Sequence, residues 1–542
     1  MRPSLGGIGS TTVCEGFMQS IMSAARPWAA IPLLTTIMLT GCGTGAREIP
    51  VERGLPARIQ GQVIDWHDCR TGPDDVTGER LAAVGAQCGE FQVPVNYGDP
   101  GGATISIAVA RRLATDSGHR LGTLVVNTGG PGPSRDGVTM IVDGPEGGHP
   151  AATAIAERFD LVGMDPRFFG ASSPLECGWG TGEYLGLAQA APADRTGFDR
   201  TVSVARELAA RCEPSRALLP FASTAAIARD LDLLRVLLRE STISYLGWSW
   251  GTYLGAVYTQ LFGDRVDRVV LDSALDPRAP GPDLTRDTAT ATAAALADWA
   301  GWAAARDGEF GVGTTRDAVL EAVVGIAPAL AARPVTIGGV RITADMVPGL
   351  LLTVDDSDKY YGVFGRQVRA LYDAALGRSA DPAPELEAKL ALYAETAVMP
   401  EFGFSATVAN QCADRTARGV EDYFADIRNH LADEPMFGPL ARHLTPCAVW
   451  PVGPVEPATR VGNPHPALLI GAAGDPVAPA AGQRALRQAL SGARMLVLEK
   501  AFRHGVYLSE PSRCVDSAVE RYLLEGVLPG ADGSCRRGAD QP

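Results

Sequence analysis

The chain has 542 residues, 46% of them hydrophobic and 20% charged, with a formal net charge of −14 at pH 7. These are globular proportions that exclude a disordered chain and one embedded wholly in a membrane, and the length predicts several compact units or one large domain with an insertion. The acidic balance, with no basic run and no aromatic-rich basic motif, argues against nucleic acid as a partner.

Residues 28–40 (WAAIPLLTTIMLT) form an apolar run with the length of a signal-peptide core, too short for a membrane span, and Arg26 precedes it. The run ends in Leu39-Thr40-Gly41-Cys42, which is similar to a bacterial lipobox. Small residues there suit a signal peptidase, and the thiol accepts the lipid. The expectation is a lipoprotein-type signal peptide over 1–41, with Cys42 lipidated. The chain would then sit in the bacterial cell envelope, anchored to the outer face of the membrane, with plain secretion as the alternative. One lipid chain holds a membrane weakly, so a stable anchor uses more than one. Met18 or Met22 would start a more compact signal.

Ten cysteines are present. Cys14 falls in the signal and Cys42 takes the lipid, which leaves Cys69, Cys88, Cys177, Cys212, Cys412, Cys447, Cys514 and Cys535. An even number in an exported chain predicts disulfides, and pairing of sequence neighbours is the simplest arrangement. No CxxC and no HExxH occurs, so neither a metal site nor a cofactor is expected.

Short apolar, β-rich runs at 123–127 (TLVVN), 160–164 (DLVGM), 243–247 (ISYLG) and 268–272 (RVVLD) read as buried strands. Two more follow late, at 467–471 (ALLIG) and 495–499 (MLVLE). Ile227, Leu231, Leu234 and Leu238 share one helical face just before ISYLG. Alternating strands and helices argue for a mostly parallel sheet. The distance from Asp272 to Ala467 is far more than one crossover needs. The Ala-rich stretch 278–445, with helical patterns at 317–332 and 362–376, therefore reads as a helical cap inserted into the sheet. RAPGPD (278–283) and SADPAPE (379–385) read as loops.

Gly247-Trp248-Ser249-Trp250-Gly251 matches G-x-S-x-G. The match alone is weak in a chain with 62 glycines. Its context is specific: a strand precedes it and a helical segment, TYLGAVYTQLF, follows, as a nucleophile elbow requires. Ser249 is thus the candidate nucleophile. Asn127-Thr128-Gly129-Gly130-Pro131-Gly132, after the strand TLVVN, is a Gly-rich loop without the Lys-Ser/Thr of a phosphate loop. A backbone N–H at Gly130, paired with that of Trp250, would make an oxyanion hole. The partners of the serine should follow in the order acid, histidine. Asp475 ends ALLIGAAGD, and His504 comes after MLVLE. Asp272 and Asp276 are the fallback acids. His465 precedes a strand, and His430 and His443 read as solvated surface in or near the cap.

Several of these segments together resemble the tripeptidyl aminopeptidase-like branch of the α/β-hydrolases, close to the proline iminopeptidases. CGEFQVPVNYGDP (88–100) is similar to the branch's VPxDY-type segment. NTGGPGPS is similar to NPGGPGGS, FDLVGMDPRFFGASSP (159–174) to FDLVGFDPRGxGxSxP, and GWSWGT to GxSYGT. NQCADR (410–415) and PALLIGAAGDPVAP (466–479) resemble its C-terminal part. The departures are Phe168-Phe169, where a small or Gly residue follows DPR, and Arg503, where a Gly precedes the histidine.

The resemblance implies an α/β-hydrolase fold divided into core residues 42–277, cap 278–445 and core 446–542. It implies removal of short peptides from free N-termini through an acyl-enzyme, without metal. Cap carboxylates would hold the substrate's α-ammonium, with Asp355, Asp356, Asp358 and Glu387 on offer, while a solvated face is the expected role for any one of them. The same machinery would serve a carboxylesterase or lipase, and a non-catalytic binding protein on this scaffold would have no need of the whole Ser249–Asp475–His504 set. Nothing in the sequence sets an oligomeric state.

Overall fold

The computed structural model describes residues 54–537 apart from 74, 145–151 and 379–382. The expected signal peptide and Cys42 lie outside the described residues. In chain order the strands are β1 (His67–Asp68), β2 (Gln87–Pro94), β3 (Thr104–Arg112), β4 (Gly122–Asn127), β5 (Phe159–Met164), β6 (Ile243–Trp248), β7 (Val266–Asp272), β8 (Val335–Ile337), β9 (Val340–Ile342), β10 (Leu468–Ala472), β11 (Arg494–Glu499) and β12 (Gly533–Arg536). Ten of them form one sheet in the order β1-β2-β3-β5-β4-β6-β7-β10-β11-β12. The β1–β2, β2–β3 and β3–β5 pairs are antiparallel, and every pair from β5 to β12 is parallel.

The six strands expected from the sequence are β4, β5, β6, β7, β10 and β11. They lie inside the parallel part, covered on both faces, so their residues form continuous apolar runs. The structure adds β1, β2, β3 and β12. In β2, Glu90 and Gln92 point to solvent between buried Phe91 and Val93, which breaks the apolar run. β12 is short and polar and holds its place by pairing with β11. The helix Thr224–Leu237, capped by Ser223, buries Ile227, Leu231 and Leu234.

Residues between Ala289 and Leu390, joined by Phe437, Leu440 and Ala441, bury a core of their own. Its helices include Ala289–Ala304, Arg316–Val324, Ile326–Ala332 and Asp358–Ala375. It is not purely helical: β8 and β9 form a hairpin whose turn residues Gly338 and Gly339 both take positive φ, as a type I′ turn requires. The helices Phe404–Asp414 and Val420–His430 pack instead on the main core through Val408, Cys412, Tyr423 and Ile427.

Disulfides join Cys69 to Cys88, Cys177 to Cys212, Cys412 to Cys447 and Cys514 to Cys535, each cysteine with its sequence neighbour. Cross-links of this loop size typically contribute about 3 kcal/mol each. Among the described residues, no helix is long and apolar enough to cross a membrane.

Candidate active site

Strands β4, β6, β10 and β11 are parallel, so the loops leaving their C-terminal ends meet at one edge of the sheet. That edge is where open α/β sheets place their ligands. Ser249 follows β6 at φ 54°, ψ −123°, a left-handed conformation for a residue with a Cβ, and the helix Trp250–Phe262 begins at the next residue. Strain of this kind costs about 1–3 kcal/mol and persists only where the surroundings impose it. The two glycines make the turn possible. A Cβ on Gly247 would lie 2.7 Å from the Gly251 carbonyl oxygen, and one on Gly251 would lie 2.5 Å from Asn127 Oδ1. The Ser249 N–H donates to the Asp272 carbonyl at 2.9 Å, which pins the elbow to β7.

The Gly130 loop follows β4. The Gly129 N–H is already taken by Asn127 Oδ1 at 3.1 Å. Gly130 lines the same cavity as Ser249. The loop is held on two sides. The Asp165 carboxylate accepts the N–H groups of Ser134 and Arg135 at 2.8 and 3.0 Å, and Thr407 Oγ1 donates to the Pro131 carbonyl at 3.1 Å. The N–H of Trp250 stands in the first turn of its helix, where backbone donors have no intrahelical acceptor. The Trp250 indole packs in the main core and does not line the cavity on which Ser249 opens.

Asp475 and His504 meet. Nδ1 of His504 lies 3.0 Å from each carboxylate oxygen of Asp475. It therefore carries the proton and donates it, which leaves Nε2 as the basic nitrogen. Asp475 is 0% exposed, and its Oδ1 also accepts the N–H groups of Val477 and Ala478 at 2.8 Å. Burial pulls the His504 pKa down, but the negative charges of Asp475 and Asp272 outweigh it and raise the pKa above its ordinary value.

Asp272, the fallback acid, does not hold the ring. Its carboxylate accepts the N–H of Val506 at 3.0 Å and of Tyr507 at 2.6 Å, so it grips the backbone of the loop that carries His504. Burial raises its pKa to about 6, opposed by those same hydrogen bonds. Asp276 is engaged with Arg278.

Arg503, beside the histidine, is 3% exposed and donates to Glu510 at 2.5 Å, to the Ser509 carbonyl at 2.7 Å and to Asp355 at 3.2 Å. Arg537 bridges Asp356 and Glu510. The N–H of Phe502 donates to Asp356 and that of His504 to the Val354 carbonyl, at 2.7 and 2.9 Å. The segment 354–356 is thus stapled to the histidine loop, and the arginine that departs from the family pattern is part of the staple. Phe168 takes φ 74°, which accounts for the Gly usual at that place. Phe168 and Phe169 are buried in the main core, and neither lines the Ser249 cavity.

Ser249 opens on a cavity of about 240 Å³, adjoined by a second of about 390 Å³. Gly130, Gln189, Leu284, Thr285 and His443 line both. Among the described residues, no carboxylate, Lys or Arg lines either one. None of the four cap acids on offer lines either cavity. Asp355 and Asp356 are held by arginines, Asp358 accepts from Trp302 Nε1 at 2.6 Å, and Glu387 is exposed on its helix. His443 is a correction to the sequence reading, since it is partly buried and lines both cavities. Burial lowers its pKa, and its Nδ1–H donates to the Leu440 carbonyl at 2.8 Å, so the ring is neutral with Nε2 as an acceptor. Nothing in its sequence neighbourhood marks it, because its cavity partners come from many separate stretches of the chain. His465 and His430 lie away from Ser249: His465 lines neither cavity, and Nδ1 of His430 pairs with Asp426.

The sequence model of the family described as TAP-like protein matches residues 434–535, and that of the alpha/beta hydrolase fold matches 122–322. Ser249 falls in the second stretch, and Asp475 and His504 fall in the first. The chain is 32% identical over 503 residues to a tripeptidyl aminopeptidase of Streptomyces lividans, covering 88% of each. It is 27% identical over 535 residues to the serine protease Hip1 of Mycobacterium tuberculosis, covering 94% of this chain and 97% of that one. A carboxylesterase B of Mycobacterium tuberculosis is 31% identical over 545 residues, covering 95% of this chain and 96% of that one.

Proposed function

The chain is a serine peptidase belonging to the tripeptidyl aminopeptidase-like family of α/β-hydrolases, and from that membership we propose that it is an exported exopeptidase releasing short peptides from free N-termini. The observation that carries the reading is the bidentate His504–Asp475 pair at the strand edge that also bears the strained Ser249 elbow. Ser249 Oγ attacks the scissile carbonyl while His504 Nε2 takes its proton, and Asp475 stabilises the imidazolium. The N–H groups of Trp250 and Gly130 hold the oxyanion. His504 returns the proton to the leaving amine, and a water activated in the same way releases the acyl group.

Ester hydrolysis on the same machinery is the second reading. It is favoured by the absence of a carboxylate among the described residues lining either cavity, since a free α-ammonium would find no counter-charge there. The division into core 42–277, cap 278–445 and core 446–542 accompanies this proposal, as does lipid anchoring through Cys42 after removal of 1–41. The four disulfides support export.

Ser249→Ala is expected to abolish both hydrolysis and covalent labelling by a fluorophosphonate; a labelled variant would remove Ser249 from its role. Peptidyl-coumarins with free N-termini are expected to be cleaved well and their acetylated counterparts poorly. Equal cleavage of the two sinks the aminopeptidase reading, and preference for acyl esters over both supports the second. Cys42→Ala is expected to move the protein from the membrane fraction to the soluble fraction, and unchanged sedimentation with membranes counts against the anchor.

A further inference from the structure

Thr353 is 1% exposed and lines the Ser249 cavity, and its hydroxyl has no hydrogen-bond partner among the described residues. Buried hydroxyls in native proteins are nearly always paired, because leaving one unpaired costs its desolvation with no return. One that lines a cavity open to a reactive serine finds its partner in what the cavity holds. The pattern repeats next door, where Thr445 lines the adjoining cavity with its hydroxyl likewise unpartnered.

Thr353 is also fixed relative to the reacting groups. Val354 accepts the His504 N–H, and Asp355 and Asp356 are locked to Arg503 and Arg537. Its neighbours in the wall include Leu275, Phe437, Leu440 and Val477, all uncharged. The imidazole in the lining, that of His443, has its pKa lowered by burial. A charged side chain brought here would be desolvated with no partner of opposite sign.

We propose that the Thr353 hydroxyl hydrogen-bonds the acyl portion of the substrate and that the wall around it restricts the residue at the scissile bond to an uncharged, apolar one. A peptide acyl group offers an amide N–H and a carbonyl beside that bond, and a hydroxyl can accept from the first or donate to the second. This rests on the reading of Ser249 as nucleophile and adds the substrate class to it.

The test uses the full chain and free-N-terminus peptidyl-coumarins that differ only in the residue joined to coumarin. Leu and Met are expected to exceed Asp and Lys by about 100-fold in kcat/KM, since sites with unpaired buried polar or charged groups discriminate strongly. Thr353→Val keeps the shape and removes the hydroxyl, and it is expected to lower kcat/KM about 10-fold. Thr353→Ser keeps the hydroxyl and is expected to retain most of the activity. Wild-type kinetics in Thr353→Val, a loss in Thr353→Ser as large as that in Thr353→Val, or equal cleavage after Asp, Lys and Leu each overturns the proposal. Fluorophosphonate labelling of the wild-type chain reports on Ser249 separately: labelling with no change in Thr353→Val strikes only the assignment of Thr353.

Discussion

The charged groups of the core behind Ser249, which form a core wall outside the cavity lining, and the cap wall of the cavity are built in opposite ways. On the core side the end of β7 and the loops after β10 and β11 carry charged groups engaged with partners: Asp272 with two backbone N–H groups, Asp475 with His504, Arg503 with Glu510. On the cap side Leu352, Thr353, Phe437 and Leu440 present no charge, and the Thr353 hydroxyl stands unpaired. Charge in a buried place is tolerable only where it is paired, and pairing fixes geometry. The core wall therefore suits moving a proton between fixed atoms. The cap wall, with its capacity left open, suits choosing what lies against Ser249.

The sharpest way to break this division is at Asp475. Asp475→Asn keeps the shape but no longer fixes the His504 tautomer, so kcat is expected to fall about 10⁴-fold. KM should move little, because the cap wall that reads the substrate is untouched. A loss smaller than tenfold, or one carried mostly by KM, would show that the core wall does not run the proton chemistry. Steady-state kinetics on a single good substrate decides it.

The same contrast explains what was legible in the sequence. Ser249, Asp475 and His504 each sit just past a buried parallel strand, and such strands announce themselves as apolar runs. Gly130 was marked by the Gly-Pro composition of its loop. The cap wall has no comparable signature. Gln189, Thr353 and His443 lie in separate loops, and only packing brings them to one surface. The partners of the cap aspartates are hidden in the sequence for a related reason. Asp355 and Asp356 look available in the sequence because their partners Arg503 and Arg537 are roughly 150 and 180 residues away. The hairpin β8–β9 was missed because three-residue strands fall below any periodic signal.

Asp272 gives the smaller and more discriminating prediction, since it belongs to the core wall without touching the ring of His504. Its negative charge helps to raise the His504 pKa. In Asp272→Asn that pKa falls, so the neutral, proton-accepting imidazole persists to lower pH and the acid limb of the kcat/KM profile shifts downward. The loss in kcat should be within about tenfold, because Asp475 still orients the ring. Stability responds with its own sign. The folded-state pKa of Asp272 stands at about 6, above the ordinary carboxylate value, so its contribution is full below about pH 4 and is lost as the pH rises through 6. Asp272→Asn removes that titration. The stability of the wild type relative to the variant is then expected to drop by about 2 kcal/mol between pH 4 and pH 7, since each pKa unit is worth about 1.4 kcal/mol and part of the titration lies below pH 4. Urea unfolding of both chains at the two pH values measures the drop. A difference that does not change with pH would mean that Asp272 ionises as an ordinary surface carboxylate does, and the core wall would then hold one charge more than its hydrogen bonds can account for.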